Sequence, residues 1–249
     1  MKHAPFAAKL ISLPLFLLLW QALCQVHLVN PLLFPPPTRV IAALYRYLGA
    51  KEGWTDINAS VERAVIGYAA GALSGIAIGL LSGSNRIAAG LLTPVFQLLR
   101  PIPPIAFVPI VIVWFGLSEL GKWFLVFWGV FFTVWLATHL GLQRANPTYV
   151  RAAQALGATR RQVLWTVQLP DALPFVFVGL RTAITIAFYA LVSAELAGAY
   201  AGVAYRLEIT QQNLQIATMM AGLLVLGFLS SLADRLFEMI SRRVVHWSS

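Results

Sequence analysis

Six stretches of this chain stay apolar for about the distance needed to cross a lipid bilayer. They run roughly over 9–29, 61–83, 102–117, 121–142, 173–200 and 216–233, each near the ~20 residues that a spanning helix requires. Inside hydrocarbon every backbone N–H and C=O has to be satisfied within the segment, so runs of this length predict helices. Of the 249 residues, 59% are hydrophobic and 11% charged, against about 25% charged in a soluble domain. The expected fold is an all-α integral membrane protein with about six transmembrane helices. The third run is short and rich in proline. Its approach, LLTPVFQLLRPIPP (91–104), predicts a broken or interfacial helix before the span.

Between the runs lie short polar segments. NPLLFPPPTRV (30–40) holds four prolines, too many for a helix interior. VIAALYRYLGA (40–50) has helical periodicity and suits the membrane surface. EGWTDINAS (52–60) reads as a polar turn. The chain thus divides into an N-terminal transmembrane helix (1–30), an outer proline-rich loop with a surface helix (31–60), and a helical core (61–249).

The net charge is +9. The basic residues sit at the ends of apolar runs and not on one polar face, so nucleic acid is not the expected partner. Membrane lipid is, because cytoplasmic loops collect Lys and Arg. With the N-terminus inside, the cytoplasmic flanks hold Lys2, Lys9, Arg86, Arg100, Arg144, Arg151, Arg160, Arg161, Arg235, Arg242 and Arg243. The outer loops hold Arg39, Arg46, Lys51 and Arg206, with Arg63 and Lys122 at outer helix ends. This asymmetry places both termini in the cytoplasm. Cys24 is the one cysteine, which excludes a disulfide framework or a cysteine metal cluster. The first apolar run has no small-residue cleavage site, and QALC (21–24) lacks the features of a lipoprotein box, so the run reads as a transmembrane helix.

The second run repeats glycine every four residues: Gly67, Gly71, Gly75, Gly79 and Gly83. At that spacing all five lie along one slowly drifting stripe. Such a stripe lets another helix approach closely. It serves either packing within the chain or a partner subunit's helix.

The longest polar-leaning island is RAAQALGATRRQVLWTVQLPDALP (151–174). Asn146-Pro147 predicts a helix start, with asparagine as cap and proline at the first helical position. Ala152, Ala153 and Leu156 share one face. Gly157 sits where a helix stops in the left-handed conformation. Thr159 followed by Gln162 predicts a capping box and a second short helix. Val163, Leu164 and Val167 form its apolar face, Arg161, Trp165 and Gln168 the other, and Leu169-Pro170 is expected to end it. The result, over 146–170, is an amphipathic, basic helix–glycine–helix elbow. A re-entrant loop packed on the bundle is the plain reading; a docking surface for a soluble partner explains its mixed polarity better.

This island resembles the EAA loop of ATP-binding-cassette importer permeases, which runs Glu-Ala-Ala, three residues, Gly, nine residues, Ile-x-Leu-Pro. Ala152, Ala153, Gly157, Val167, Leu169 and Pro170 stand at those spacings, all identities except Val167. Arg151 stands where the family usually has glutamate, so no family role transfers to it. From about residue 30 onward the chain is similar to the sulfonate/taurine/nitrate-type permeases. LFPPPTRV (33–40), the glycine stripe, LRPIPPIAFVPIVIVWFGLSE (99–119), GLRTA (179–183) and LVSAE (191–195) carry the likeness in order.

The resemblance implies a type I importer permease fold in the bacterial cytoplasmic (inner) membrane. It implies a dimer of permease subunits whose elbows sit in grooves of ATPase subunits, with an extracytoplasmic solute-binding protein delivering substrate. Closure of the ATPases would rock the helices between inward and outward states. The permease itself is non-catalytic. The chain has no GxxxxGK[ST] loop, so ATP and magnesium belong to a separate ATPase chain. Gly157 would allow close backbone contact with that partner, and Arg160, Arg161 and Trp165 would reach it. The implied substrate is a small anion such as a sulfonate, taurine or nitrate. Thiamine-precursor or aromatic-acid uptake stays open.

Ionisable residues inside spans default to functional candidates. Arg181 and Glu195 in the fifth span, and Glu119 before the fourth, are candidates for the translocation path. A buried structural partner for each is the alternative, and Glu119 and Lys122 are placed to pair with each other or with the binding protein. The histidines, at 3, 27, 139 and 246, lack metal-ligand spacing, and His139 reads as structural. The aromatics from Trp114 to Trp135 fit an interfacial belt and packed core. A secondary transporter would show more intramembrane charge and an internal repeat. A membrane enzyme would need a nucleophile, a metal set or an acid–base pair at membrane depth. Neither explains the elbow.

Overall fold

The computed structural model describes residues 6–26 and 30–244. Residues 27–29 at the end of the first apolar run, and Lys2, His3, His27 and His246, lie outside them. The described residues are mostly helical and fall into two units.

The first unit is the described part of Met1–Ala59 together with Tyr200–Gly227. It contains α1 (Phe6–Gln25), α2 (Pro37–Gly49), the start of α3 (Lys51–Ser84), α10 (Val203–Gln212) and the start of α11 (Ile216–Val244). Pro37 opens α2 at its first position, where a missing N–H costs nothing. Val40, Ala43 and Tyr47 form the buried face of α2. Trp20 of α1 packs on Phe34 with ring centroids 5.4 Å apart.

The segment 52–60 is not a turn. It is the first part of α3. Its polarity misleads because Asp56 is buried, with 1% exposure. Tyr47 Oη donates to Asp56 Oδ2 at 3.2 Å, Arg206 Nε to the same oxygen at 2.7 Å, and the Gly202 amide to Oδ1 at 3.0 Å. A carboxylate satisfied in this way can sit inside a helix bundle. The same carboxylate raises Arg206 above its ordinary range, chiefly through this hydrogen bond.

The second unit is Ser60–Ala199 with the described residues from Phe228 onward. It holds the rest of α3, α4 (Arg86–Leu99), α5 (Val108–Phe115), α6 (Glu119–Gln143), α7 (Pro147–Ala155), α8 (Arg160–Val163), α9 (Leu169–Leu196) and the remainder of α11. Its core joins Val126, Val130 and Val134 of α6 to Ala183, Ala187, Ala190 and Leu191 of α9, with Ala64 and Ala72 of α3. The glycine stripe of α3 faces α6. A Cβ at Gly67 would lie 2.5 Å from Val126 Cβ, at Gly71 2.8 Å from Val130 Cβ, and at Gly79 2.5 Å from Thr138 Cβ. No side chain fits there, so the stripe packs within the chain. A second cluster stacks Phe131, Phe132 and Trp135 around Phe96 of α4, whose ring meets Trp135 edge-on at 4.9 Å.

Among the described residues, four helices are long and apolar enough to cross a bilayer: Lys51–Ser84, Glu119–Gln143, Arg160–Leu196 and Ile216–Val244. The broken approach expected before the third apolar run is present. A 3-10 turn (Pro104–Phe107) precedes α5, and the α4 segment meets this Pro104–Phe115 piece at 87°. Pro101, Pro103 and Pro104 lack amide donors and disfavour helix in the residues before them. Counted as one span, the bent pair makes five. α1 has 20 residues with Pro14 inside, and its apolar helix from Pro14 to Gln25 falls short of the same length. The six expected spans therefore become four long helices, one bent pair and α1.

Candidate functional site

The elbow is built by local signals. Asn146 Oδ1 accepts the Thr148 amide at 2.9 Å, and Pro147 opens α7. At the other end the Gly157 amide donates to Gln154 O at 3.0 Å and the Ala158 amide to Ala153 O at 3.0 Å. That is the paired closure of a Schellman end, and Gly157 takes φ +85°. Thr159 and Gln162 then exchange both bonds of a capping box: Thr159 Oγ1 accepts the Gln162 amide at 3.3 Å, and Gln162 Oε1 accepts the Thr159 amide at 2.8 Å. The Asn146 amide donates to Asp171 Oδ2 at 3.2 Å, closing the elbow at its base.

Leu169-Pro170 does not end the second helix. A π-helical turn (Leu164–Gln168) joins α8 to α9, with the Leu169 amide donating to Leu164 O. The helix therefore continues from Arg160 to Leu196. Proline has no amide to close the regular i to i−4 bond, and the wider π turn lets the chain carry Pro170 without breaking.

The exposed side of the elbow is mixed apolar and basic. Leu156 is 89% exposed, Tyr149 63% and Trp165 55%. Arg160, Arg161, Ala152 and Gly157 are exposed; Ala153, Val167, Leu169 and Pro170 are half-buried; Val163 is buried. A Cβ at Gly157 would meet nothing within 4 Å. Arg151 is exposed, and its Nε donates to Pro147 O at 3.3 Å. Arg144 lies over the Phe175 ring, 5.3 Å from its centroid.

At the opposite ends of α6 and α9 lies a buried ion network. Glu195 has no exposed surface. Its Oε1 accepts the Ser60 hydroxyl at 2.6 Å and Arg63 Nη1 at 3.0 Å. Arg63 Nε donates to Glu119 Oε2 at 2.6 Å and Nη2 to Glu119 Oε1 at 2.8 Å. Lys122 Nζ donates to the same Glu119 Oε1 at 2.8 Å and to Leu117 O at 3.2 Å. The Arg63 and Lys122 side chains are 5% and 6% exposed, that of Glu119 46%. The sequence marked Glu195 and Glu119 but did not join them through Arg63 and Ser60. The available signal was the need of a carboxylate at membrane depth for a base on a neighbouring helix.

Arg181 is held by α11. Its Nε donates to Asp234 Oδ1 and its Nη2 to Asp234 Oδ2 and Glu238 Oε2, each at 2.8 Å. Asp234 and Glu238 were not singled out from sequence. His139 is buried, its Nδ1 3.0 Å from Ser82 Oγ and its Nε2 3.0 Å from Gln143 Nε2, while Trp135 Nε1 donates to Ser82 Oγ at 3.1 Å. An apolar cleft of about 430 Å³ opens between α3, α9 and α11. Of its lining residues only Tyr68 carries a polar side-chain atom, and that hydroxyl donates to Leu180 O at 3.0 Å. Such walls offer nothing to orient an anion.

Helices of spanning length thus carry an exposed, doubly capped elbow. Residues 75–246 match the family described as binding-protein-dependent transport system inner membrane component, and the chain belongs to it. It is 32% identical to the taurine transport system permease protein TauC of Escherichia coli (strain K12) over 95% of this chain and 88% of that one. It is 28% identical to the nitrate import permease protein NrtB of Synechocystis sp. (strain PCC 6803 / Kazusa), over 94% of this chain and 88% of that one. The fold matches a chain of the MetNI methionine ABC transporter with a TM-score of 0.63 at 20% identity, over 75% of this chain and 93% of that one. The protein is thus an inner-membrane permease component of an ATP-binding-cassette importer, with a type I importer permease fold.

Proposed function

We propose that this chain moves a small oxyanion, of the class of sulfonates, taurine or nitrate, into the cytoplasm by alternating access. Two copies of the chain form the pathway, and an extracytoplasmic binding protein delivers the solute. An ATPase subunit docks on each elbow and carries the ATP and magnesium. The elbow and both termini face the cytoplasm, and the permease does no covalent chemistry.

The elbow carries this reading. Leu156, Tyr149 and Trp165 are large apolar side chains left exposed beside Arg160 and Arg161, and aromatic and arginine side chains dominate binding hot spots. The turn at Gly157 is open on its outer side, so a partner's backbone can approach there. The substrate class rests on the relatives named for taurine and nitrate transport. Coexpression with candidate ATPase subunits followed by gentle extraction tests the reading. An ATPase that copurifies with the native chain and is lost from Gly157→Asp is the expected result. Uptake by the chain with no ATPase attached would sink it in favour of a secondary transporter.

A further inference from the structure

We propose that Arg63 and Lys122 form the site at which the transported oxyanion first enters the helical core, with the Glu119 carboxylate as a resident anion that the solute displaces. This rests on the importer reading above. Arg63 and Lys122 are almost fully enclosed, while Glu119, which bridges them, is the one half-exposed member of the network. Glu195 cannot be the group that leaves: it is fully buried and also holds the Ser60 hydroxyl.

Charge balance identifies the ligand class. With Glu119 in place, two cations face two carboxylates. With Glu119 withdrawn, one buried positive charge stays uncompensated, a costly state. A sulfonate group or a nitrate ion restores local neutrality. The cations present a fork of Arg63 Nε and Nη2 with Lys122 Nζ beside it, all within 2.6–2.8 Å of the two Glu119 oxygens. Arginine forks bind planar pairs of oxygens in two parallel bonds. A sulfonate or a nitrate offers the same pair and a third oxygen besides.

The location agrees. α6 runs 25 residues from Glu119 towards the elbow, about 36 Å at ~1.5 Å per residue. That exceeds the ~30 Å hydrocarbon core, so the network and the elbow stand at opposite membrane faces. With the elbow on the ATPase side, the network faces the compartment from which the solute arrives. Glu119 is the first residue of α6 and its side chain is 46% exposed, so it can turn to water without disturbing the span.

The test uses the purified full chain, with sodium chloride exchanged for sodium ethanesulfonate at constant ionic strength and the thermal unfolding midpoint as readout. A ligand that binds only the folded chain raises this midpoint. Removing the competing carboxylate in Glu119→Gln should lower the half-maximal ethanesulfonate concentration about tenfold relative to the native chain. Adding Lys122→Met to Glu119→Gln should abolish the rise. Where Glu119→Gln does not fold, Glu119→Asp serves, because its shorter arm cannot bridge both cations. A Glu119 variant that folds but shows no ethanesulfonate-dependent rise overturns the proposal. So does an equal rise with Lys122→Met added. ATPase copurification is scored separately. An ATPase bound to an anion-blind Glu119→Gln chain removes the site and leaves the importer reading intact; an anion response in a chain that binds no ATPase does the reverse.

Discussion

Arg63 and Glu195 meet at 3.0 Å across 132 positions of sequence, in a place where the carboxylate has no exposed surface. Breaking a buried pair by removing one partner leaves the other charge stranded, at a cost of about 3–5 kcal/mol. Arg63→Met should therefore lower the thermal midpoint of the detergent-solubilised chain sharply, because it strands the fully buried Glu195; Glu195→Ala should cost less, because Arg63 keeps both bonds to Glu119. The double variant should lose less than the sum of the two single losses. Additive losses would show that the residues stabilise the fold independently.

The stripe on α3 makes a graded prediction. Gly67→Ala and Gly79→Ala each place a methyl 2.5 Å from a Cβ of α6. Overpacking of this kind costs about 1–3 kcal/mol. Gly90→Ala in α4 is the control, because nothing lies within 4 Å of the added atom. There the helix should gain about 0.5–1 kcal/mol from the less flexible residue. Equal behaviour of the three variants in thermal unfolding would contradict the packing described.

Gly157 separates conformational demand from contact. Its φ of +85° disfavours β-branched residues but is tolerated by asparagine. Gly157→Val should loosen the elbow, seen as faster proteolysis between α7 and α8. Gly157→Asn should leave proteolysis unchanged, since no atom of the chain crowds the position. If Gly157→Asn still loses the ATPase, the partner's approach and not the turn excludes the side chain.

Asp56 accepts from the Tyr47 hydroxyl, the Gly202 amide and Arg206. Asp56→Ala should lower the thermal midpoint by removing the acceptor of all three, and because Arg206 is 29% exposed and can reach water the loss should stay at about 1–3 kcal/mol. Arg206→Met should cost more, about 3–5 kcal/mol, because it leaves a carboxylate with 1% exposure without its cation. Thermal midpoints of the two variants, compared in one detergent, check the order.

Much of the elbow was legible in the residues themselves. The Asn146-Pro147 start, the stop at Gly157 and the Thr159–Gln162 box depend on bonds between residues two to five apart, so their chemistry is written locally. The close approach implied by the glycine stripe was legible too, because a period of four on a helix makes a groove whatever fills it. The identity of the filling helix was not: only the folded chain sets Val126, Val130 and Thr138 against those glycines.

Apolar length and local capping thus determined by themselves that this chain is a bundle of membrane-spanning helices with a capped elbow, since backbone hydrogen bonds must close within each segment. The break before the third run was legible in its prolines, but its angle of 87° was not. Tertiary structure alone decided that 52–60 is helix and that Pro170 lies within a helix continuing through a π turn. It also decided that Arg63, Glu119, Lys122 and Glu195 share one network. In each case a polar or proline residue is tolerated because a distant partner or a shift in backbone geometry satisfies it, and neither is visible in the neighbouring sequence.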